Sequence, residues 1–197
     1  MEDKREIQIY GSSHIKIPGV TVVADFYSFD DRGSFRKIYC SSKLEKLSFD
    51  APMQECFISI SRKNVIRGMH FQTPPSSCAK LITVLRGSVI DVICDLRKNS
   101  PAYLQTDAFL IPSGSRESVY IPDGCAHGFL ALEDDTMMLY NTTAEYNPIA
   151  DKGVHYTSID FDWPVASKDV IVSERDSSMP SVQEFATPFY FTEEVSG

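Results

Sequence analysis

Short apolar runs rich in β-branched and aromatic residues recur along the chain, separated by clusters of Gly, Pro, Ser, Asn and Asp. They read VTVVADFYSF (20–29), CFISIS (56–61), KLITVLRGSVIDVICDLR (80–97), AYLQTDAFLI (102–111), SVYIPDG (118–124), GFLAL (128–132) and TMMLYNTT (136–143). Runs of this length and composition, bounded by turn residues, predict β-strands. KLITVLRGSVIDVICDL reads as two strands around a Gly-Ser turn, and SVYIPDGCAHGFLAL as strand, turn, strand. Regular short strands in this number predict a barrel or a double-sheet jelly roll. Two helical pieces are expected, at SSKLEKL (41–47) and around PSVQEF (180–185). The polar, Pro-containing stretch from about 165 reads as a packed irregular tail of a single 1–197 domain. Open sheet edges need cover, and pairing with a second copy is one way to provide it.

Composition narrows the class. A chain of 197 residues, 43% hydrophobic and 23% charged, is long enough for a substantial core. Its net charge of −8 argues against a nucleic-acid partner, which needs basic surface. No apolar run approaches the roughly 20 residues of a membrane helix. The start, MEDKREIQIYGSS, lacks the apolar centre of a signal peptide. Five scattered cysteines without a CxxC pair predict reduced thiols and a cytoplasmic setting.

Polar residues on or beside these strands carry the candidate chemistry. They are Arg67 and His70 in RGMHFQ, Lys80 opening KLITV, His127 in PDGCAHGF, and Tyr140 in MMLYNTT. Along DVICD, Asp91, Ile93 and Asp95 share one face. A barrel interior holding such groups is costly unless they bind each other or a ligand. Each has a structural alternative when taken alone. His70 can be a satisfied core imidazole, Lys80 and Arg67 solvated strand ends, Tyr140 a core ring, His127 a turn residue. A metal would need closely spaced histidines and a carboxylate. RGMHFQ offers one histidine and His127 a second, but no third ligand is evident, so no metal is expected.

RGMHFQ, KLITVLRGSVIDVICDLRKNSP, IPDGCAHGFLAL, LYNTTAEYNPIADKG, DFDWP and SERD follow in order between about Val20 and Asp176. Together they resemble the dTDP-4-dehydrorhamnose 3,5-epimerase family. The resemblance implies an all-β, cupin-type jelly-roll barrel with short peripheral helices. It implies a homodimer with exchanged N-terminal strands, no cofactor, and a nucleotide-linked 4-keto-6-deoxyhexose as substrate, in deoxysugar and surface-polysaccharide synthesis. His70 matches the catalytic base and Tyr140 the proton donor. Lys80 and His127 match positions around the sugar, and Arg67, Arg32 and Gln72 positions around the phosphates or nucleotide. Arg32, in DDRGSF, matches an arginine that reaches the partner's site.

Two segments depart from the family pattern. Where the family carries an Asp that orients the catalytic histidine, HYTSIDFDWP puts Ser158 nearest, with Asp160 two residues on. RGSFRK carries Ser34 for an aromatic and Lys37 near an expected glutamate. Two other functions use similar residues. One is a 3,4-ketoisomerase, which also works through an enolate. The other is a sugar-nucleotide-binding cupin without catalysis.

Overall fold

The computed structural model describes residues 15–42 and 52–192. Among these residues twelve strands run in chain order: β1 (Thr21–Ala24), β2 (Phe26–Asp30), β3 (Gly33–Lys37), β4 (Glu55–Ser61), β5 (Ile66–Gln72), β6 (Lys80–Arg86), β7 (Ser88–Asp95), β8 (Thr106–Pro112), β9 (Glu117–Ile121), β10 (Cys125–Ala131), β11 (Thr136–Thr142) and β12 (Asp151–Gly153). They form two antiparallel five-stranded sheets, ordered β1-β9-β6-β11-β4 and β12-β5-β10-β7-β8, and a separate β2–β3 hairpin. The architecture is the expected jelly roll, with two facing sheets in place of a closed barrel.

Both predicted turns exist, but each is a corner between sheets. Gly87 carries the chain from β6 in the first sheet to β7 in the second, and Gly124 lies between β9 and β10. Both glycines have φ of +76°, a region that strains other residues. At Gly87 a Cβ would also sit 2.5 Å from Thr136 Oγ1. This switching sets the two sheets face to face, with their inward residues forming the core.

Alternation along the strands fills that core. Ile82 and Val84 of β6, Val119 and Ile121 of β9 and Met138 of β11 meet Val89, Ile93, Phe109 and Phe129 from the second sheet. The opposite face of β7, with Ile90, Val92 and Cys94, is also buried. Residues Val154, Ile159, Val182 and Phe189 of the C-terminal segment cover it, so both faces of β7 are buried. Fully burying a side chain of this size contributes about 1.5–3 kcal/mol, which is what holds the irregular tail down.

The tail's helix lies at α1 (Glu174–Ser177), not around PSVQEF, which forms a turn over 182–184. Ser173 caps it, accepting from the Asp176 N–H at 3.0 Å. The other helical expectation, SSKLEKL, falls mostly outside the described residues. At the base of the hairpin, Arg36 pairs with Asp25 at 2.6 Å. It also donates to the carbonyls of Val84, Ser113 and Glu117.

Candidate active site

A cavity of ≈ 300 Å³ opens between the sheets. Its walls include Arg67, His70 and His127 from the second sheet and Lys80, Tyr140 and Phe57 from the first. Arg67 and His70 are three residues apart, which in a regular strand puts them on opposite faces. A bulge reconciles them: His70 pairs with His127 and Arg67 with Phe129, so β5 spends one extra residue between these pairs. Gly68 makes the bulge possible. Its φ is +117°, and a Cβ there would lie 2.6 Å from Gly128 Cα and from the His127 carbonyl oxygen.

The Gly68 N–H, freed from the ladder, donates to Asp176 Oδ2 at 3.1 Å. The other carboxylate oxygen, Oδ1, lies 2.8 Å from His70 Nε2. Asp176 therefore holds the position expected for Ser158. The sequence signal for it was the Ser-x-x-Asp spacing of Ser173 and Asp176, which caps α1. Burial alone would raise the Asp176 pKa. Its bonds with His70, Gly68 and Ser173 outweigh that and hold it below the usual carboxylate value. With Nε2 engaged, Nδ1 is the His70 nitrogen left for the cavity.

Ser158 lies elsewhere. Its hydroxyl donates to the His155 carbonyl at 2.6 Å and accepts from the Val182 N–H at 2.9 Å, bracing the tail. Short polar side chains in turns make such local bonds readily.

Lys80 spans the gap between sheets, donating from Nζ to the His70 carbonyl at 3.0 Å. Burial pulls its pKa below the ordinary lysine value, with Cys78, Asp151 and Asp91 opposing that effect. His127 Nε2 lies 2.6 Å from Asp91 Oδ1, both groups buried, and its ring meets Tyr140 edge-on at 6.2 Å. Burial pushes the Tyr140 phenol well above its usual value, against a weak bond to Ser59, so it stays protonated at neutral pH.

The phosphate candidates divide. Arg67 lines the cavity, with Nε on Ser61 Oγ at 3.0 Å and the Ile60 carbonyl at 3.2 Å from its terminal nitrogen. Gln72 reaches the wall, but its amide is engaged. Nε2 donates to the Ser76 and Glu145 carbonyls, and Oε1 accepts from Asn147 N–H at 2.6 Å. It braces the loop after β11 and has little left for a phosphate. Arg32 sits at the tip of the hairpin, 90% exposed and paired with Asp30, and does not line this cavity. Sequence reasoning missed Arg175, beside Asp176 on α1, which lines the cavity and pairs with Asp151 at 2.6 Å. It also missed Phe57.

Chemically, the site holds a carboxylate-backed imidazole on one sheet and a protonated phenol on the other. A lysine lies between them, and Arg67 and Arg175 supply further cations.

Comparison with known proteins gives the family. A dTDP-4-dehydrorhamnose 3,5-epimerase from Mycolicibacterium smegmatis is 35% identical over 173 residues, covering 86% of this chain and 85% of that protein. A dTDP-4-dehydrorhamnose 3-epimerase from Streptomyces niveus is 32% identical over 163 residues, covering 81% of this chain and 78% of that protein. Among solved structures, the Legionella pneumophila 3,5-epimerase in complex with dTDP-4-keto-L-rhamnose superposes with a TM-score of 0.83 at 27% identity, covering 88% and 94%. The dTDP-4-dehydrorhamnose 3,5-epimerase family model matches residues 14–184, and the chain belongs to that family.

Proposed function

We propose that this protein is an epimerase of a nucleotide-linked 4-keto-6-deoxyhexose, serving deoxysugar and surface-polysaccharide synthesis. The observation that carries the reading is the pairing of His70 with Asp176 in the same cavity as the protonated Tyr140, on opposite sheets. A carbon beside a ketone loses its proton to a base on one face, giving an enolate. A proton delivered to the other face inverts the centre. His70 Nδ1 takes the proton, and Asp176 steadies the imidazolium that results. Tyr140 returns a proton from the facing wall.

Lys80 serves the oxygen of the enolate. Its ammonium is buried and its pKa depressed, so a developing negative charge restores the balance the site lacks. His127, fixed by Asp91, borders the same space. Arg67 and Arg175 suit diphosphate oxygens, which match the guanidinium fork.

A second copy is part of the reading. Phe26, Phe29 and Phe35 of the hairpin and Ile58 and Ile60 of β4 are exposed apolar groups, which a homodimer with exchanged N-terminal strands would cover. Arg32, at the hairpin tip, would then enter the partner's site. No disulfide joins any of the five cysteines, in keeping with a reducing cytoplasm.

The test is incubation with dTDP-4-keto-6-deoxyglucose in deuterated water, read by NMR. Deuterium and inversion at C3, C5 or both are expected. Migration of the ketone to C3 would identify a ketoisomerase, and binding without exchange a non-catalytic protein.

A further inference from the structure

Phe57 stands directly across the β4–β11 ladder from Tyr140. The two rings stack in parallel, with centroids 4.8 Å apart and planes 11° from each other. His127 also meets Tyr140 edge-on, and among the described residues the phenol's hydrogen-bond partners are Ser59 Oγ at 3.4 Å and Met138 Sδ at 3.7 Å. Tyr140 is therefore held by packing, with weak polar ties at its reactive end. The Phe57 ring is the part of that packing that is itself 44% exposed, on the edge strand of its sheet and on the cavity wall.

We propose that Phe57 is a positioning residue for inversion: its ring fixes the Tyr140 phenol over the cavity and shields it from water, so that proton removal is followed by return to the opposite face. The proposal rests on the reading of Tyr140 as acid. The raised phenol pKa is consistent with a dry setting of which Phe57 forms one side. In the balanced step, the Tyr140 O–H bond breaks, a C–H bond forms at the enolate carbon, and the phenolate is reprotonated from solvent. Without the ring, the phenol swings and water reaches it. The enolate then persists long enough for the His70 imidazolium to trade its N–H proton for a solvent deuteron and to return that deuteron on the face it left, which gives exchange without inversion. A displacement of about 1 Å at a reacting group can cost about 10²-fold, so loss of this contact is enough to uncouple the two events.

The experiment follows deuterium incorporation and inversion at the same carbon in wild type, Phe57→Ala, Phe57→Leu and Phe57→Tyr. Wild type is expected to exchange and invert at matched rates. In Phe57→Ala the ratio of exchange to inversion should rise about tenfold or more, part of the 10²–10⁴-fold that a general acid supplies. Exchange itself should stay near wild type, so the variant moves toward the behaviour of Tyr140→Phe. Phe57→Leu, which keeps apolar bulk without a stacking face, should fall between them, and Phe57→Tyr should restore coupling. A purely structural role would lower both rates together, and that result overturns the proposal, as does an unchanged ratio in Phe57→Ala. Wild type that shows no exchange would instead reject the epimerase reading.

Discussion

Asp176 reaches His70 from 106 residues further along the chain, on a helix of one turn, and places Oδ1 2.8 Å from Nε2. The same carboxylate caps the open Gly68 N–H of the β5 bulge. One side chain thus fixes both the ring and the backbone that presents it. An aspartate in this role selects which ring nitrogen is free and stabilises the protonated ring.

Asp176→Asn should retain the fold and lose activity by about 10²–10⁴-fold, the range of a general base deprived of its partner. His70→Ala should lose at least as much, and the double variant little more, because the pair acts as a unit. Ser158→Ala should leave the exchange rate and its pH profile unchanged, since its hydroxyl bonds only His155 and Val182. Solvent deuterium exchange in each variant checks all three.

The lowered pKa of Asp176 also predicts a stability effect. A carboxyl whose native pKa lies below its unfolded value, about 3.8, contributes stability that is complete above that value. The contribution is lost as pH falls through the lower native pKa. The thermal stability of wild type should therefore fall below about pH 4 in part through this group. Asp176→Asn should be less stable at neutral pH, and its melting temperature should decline less between pH 5 and pH 2.

Much of this was legible in the sequence. Strand positions followed from alternation and turn residues, and Arg67, His70, Lys80, His127 and Tyr140 do line one cavity. What stayed hidden depended on which sheet each strand joins. Nothing local in KLITVLRGSVIDVICDL distinguishes a hairpin from a corner, yet only the corner sets β6 opposite β7. Asp176 was hidden for a related reason. Its capping signature speaks for a helix start, and only the packing of the tail on the second sheet brings that helix to His70. Ser158 was favoured by its place in a matched segment, but a short hydroxyl in a turn is satisfied locally.

Gly68→Ala tests the bulge. The new methyl would meet backbone atoms at 2.6 Å, where no flexible side chain can give way, and φ of +117° strains any residue with a Cβ. Strain of this kind costs about 1–3 kcal/mol. The variant should melt several degrees lower. Its activity should fall beyond what the residual fold explains, because Arg67 and His70 no longer share a face. Denaturant unfolding alongside exchange kinetics at a temperature where the variant is folded separates the two effects.

Lys80 is the proposed partner of the enolate oxygen, and its loss should be felt in the transition state more than in binding. Its Nζ is tied to the His70 carbonyl by one bond, leaving donors free for a substrate oxygen. Buried as it is, the ammonium is destabilised until a negative charge arrives. A substrate ketone offers only a dipole, whereas the enolate offers a full charge, so the attraction grows along the reaction. Lys80→Met keeps the length of the side chain and removes the charge. It should reduce kcat by about 10²–10³-fold, the cost of losing one electrostatic donor at a developing oxyanion, with KM changed far less. Lys80→Arg should recover little, because the larger planar fork does not fit where a compact ammonium sits between two sheets. Steady-state kinetics with the 4-keto sugar nucleotide decides the matter. A large rise in KM at constant kcat would move Lys80 from the enolate oxygen to ground-state binding of the substrate.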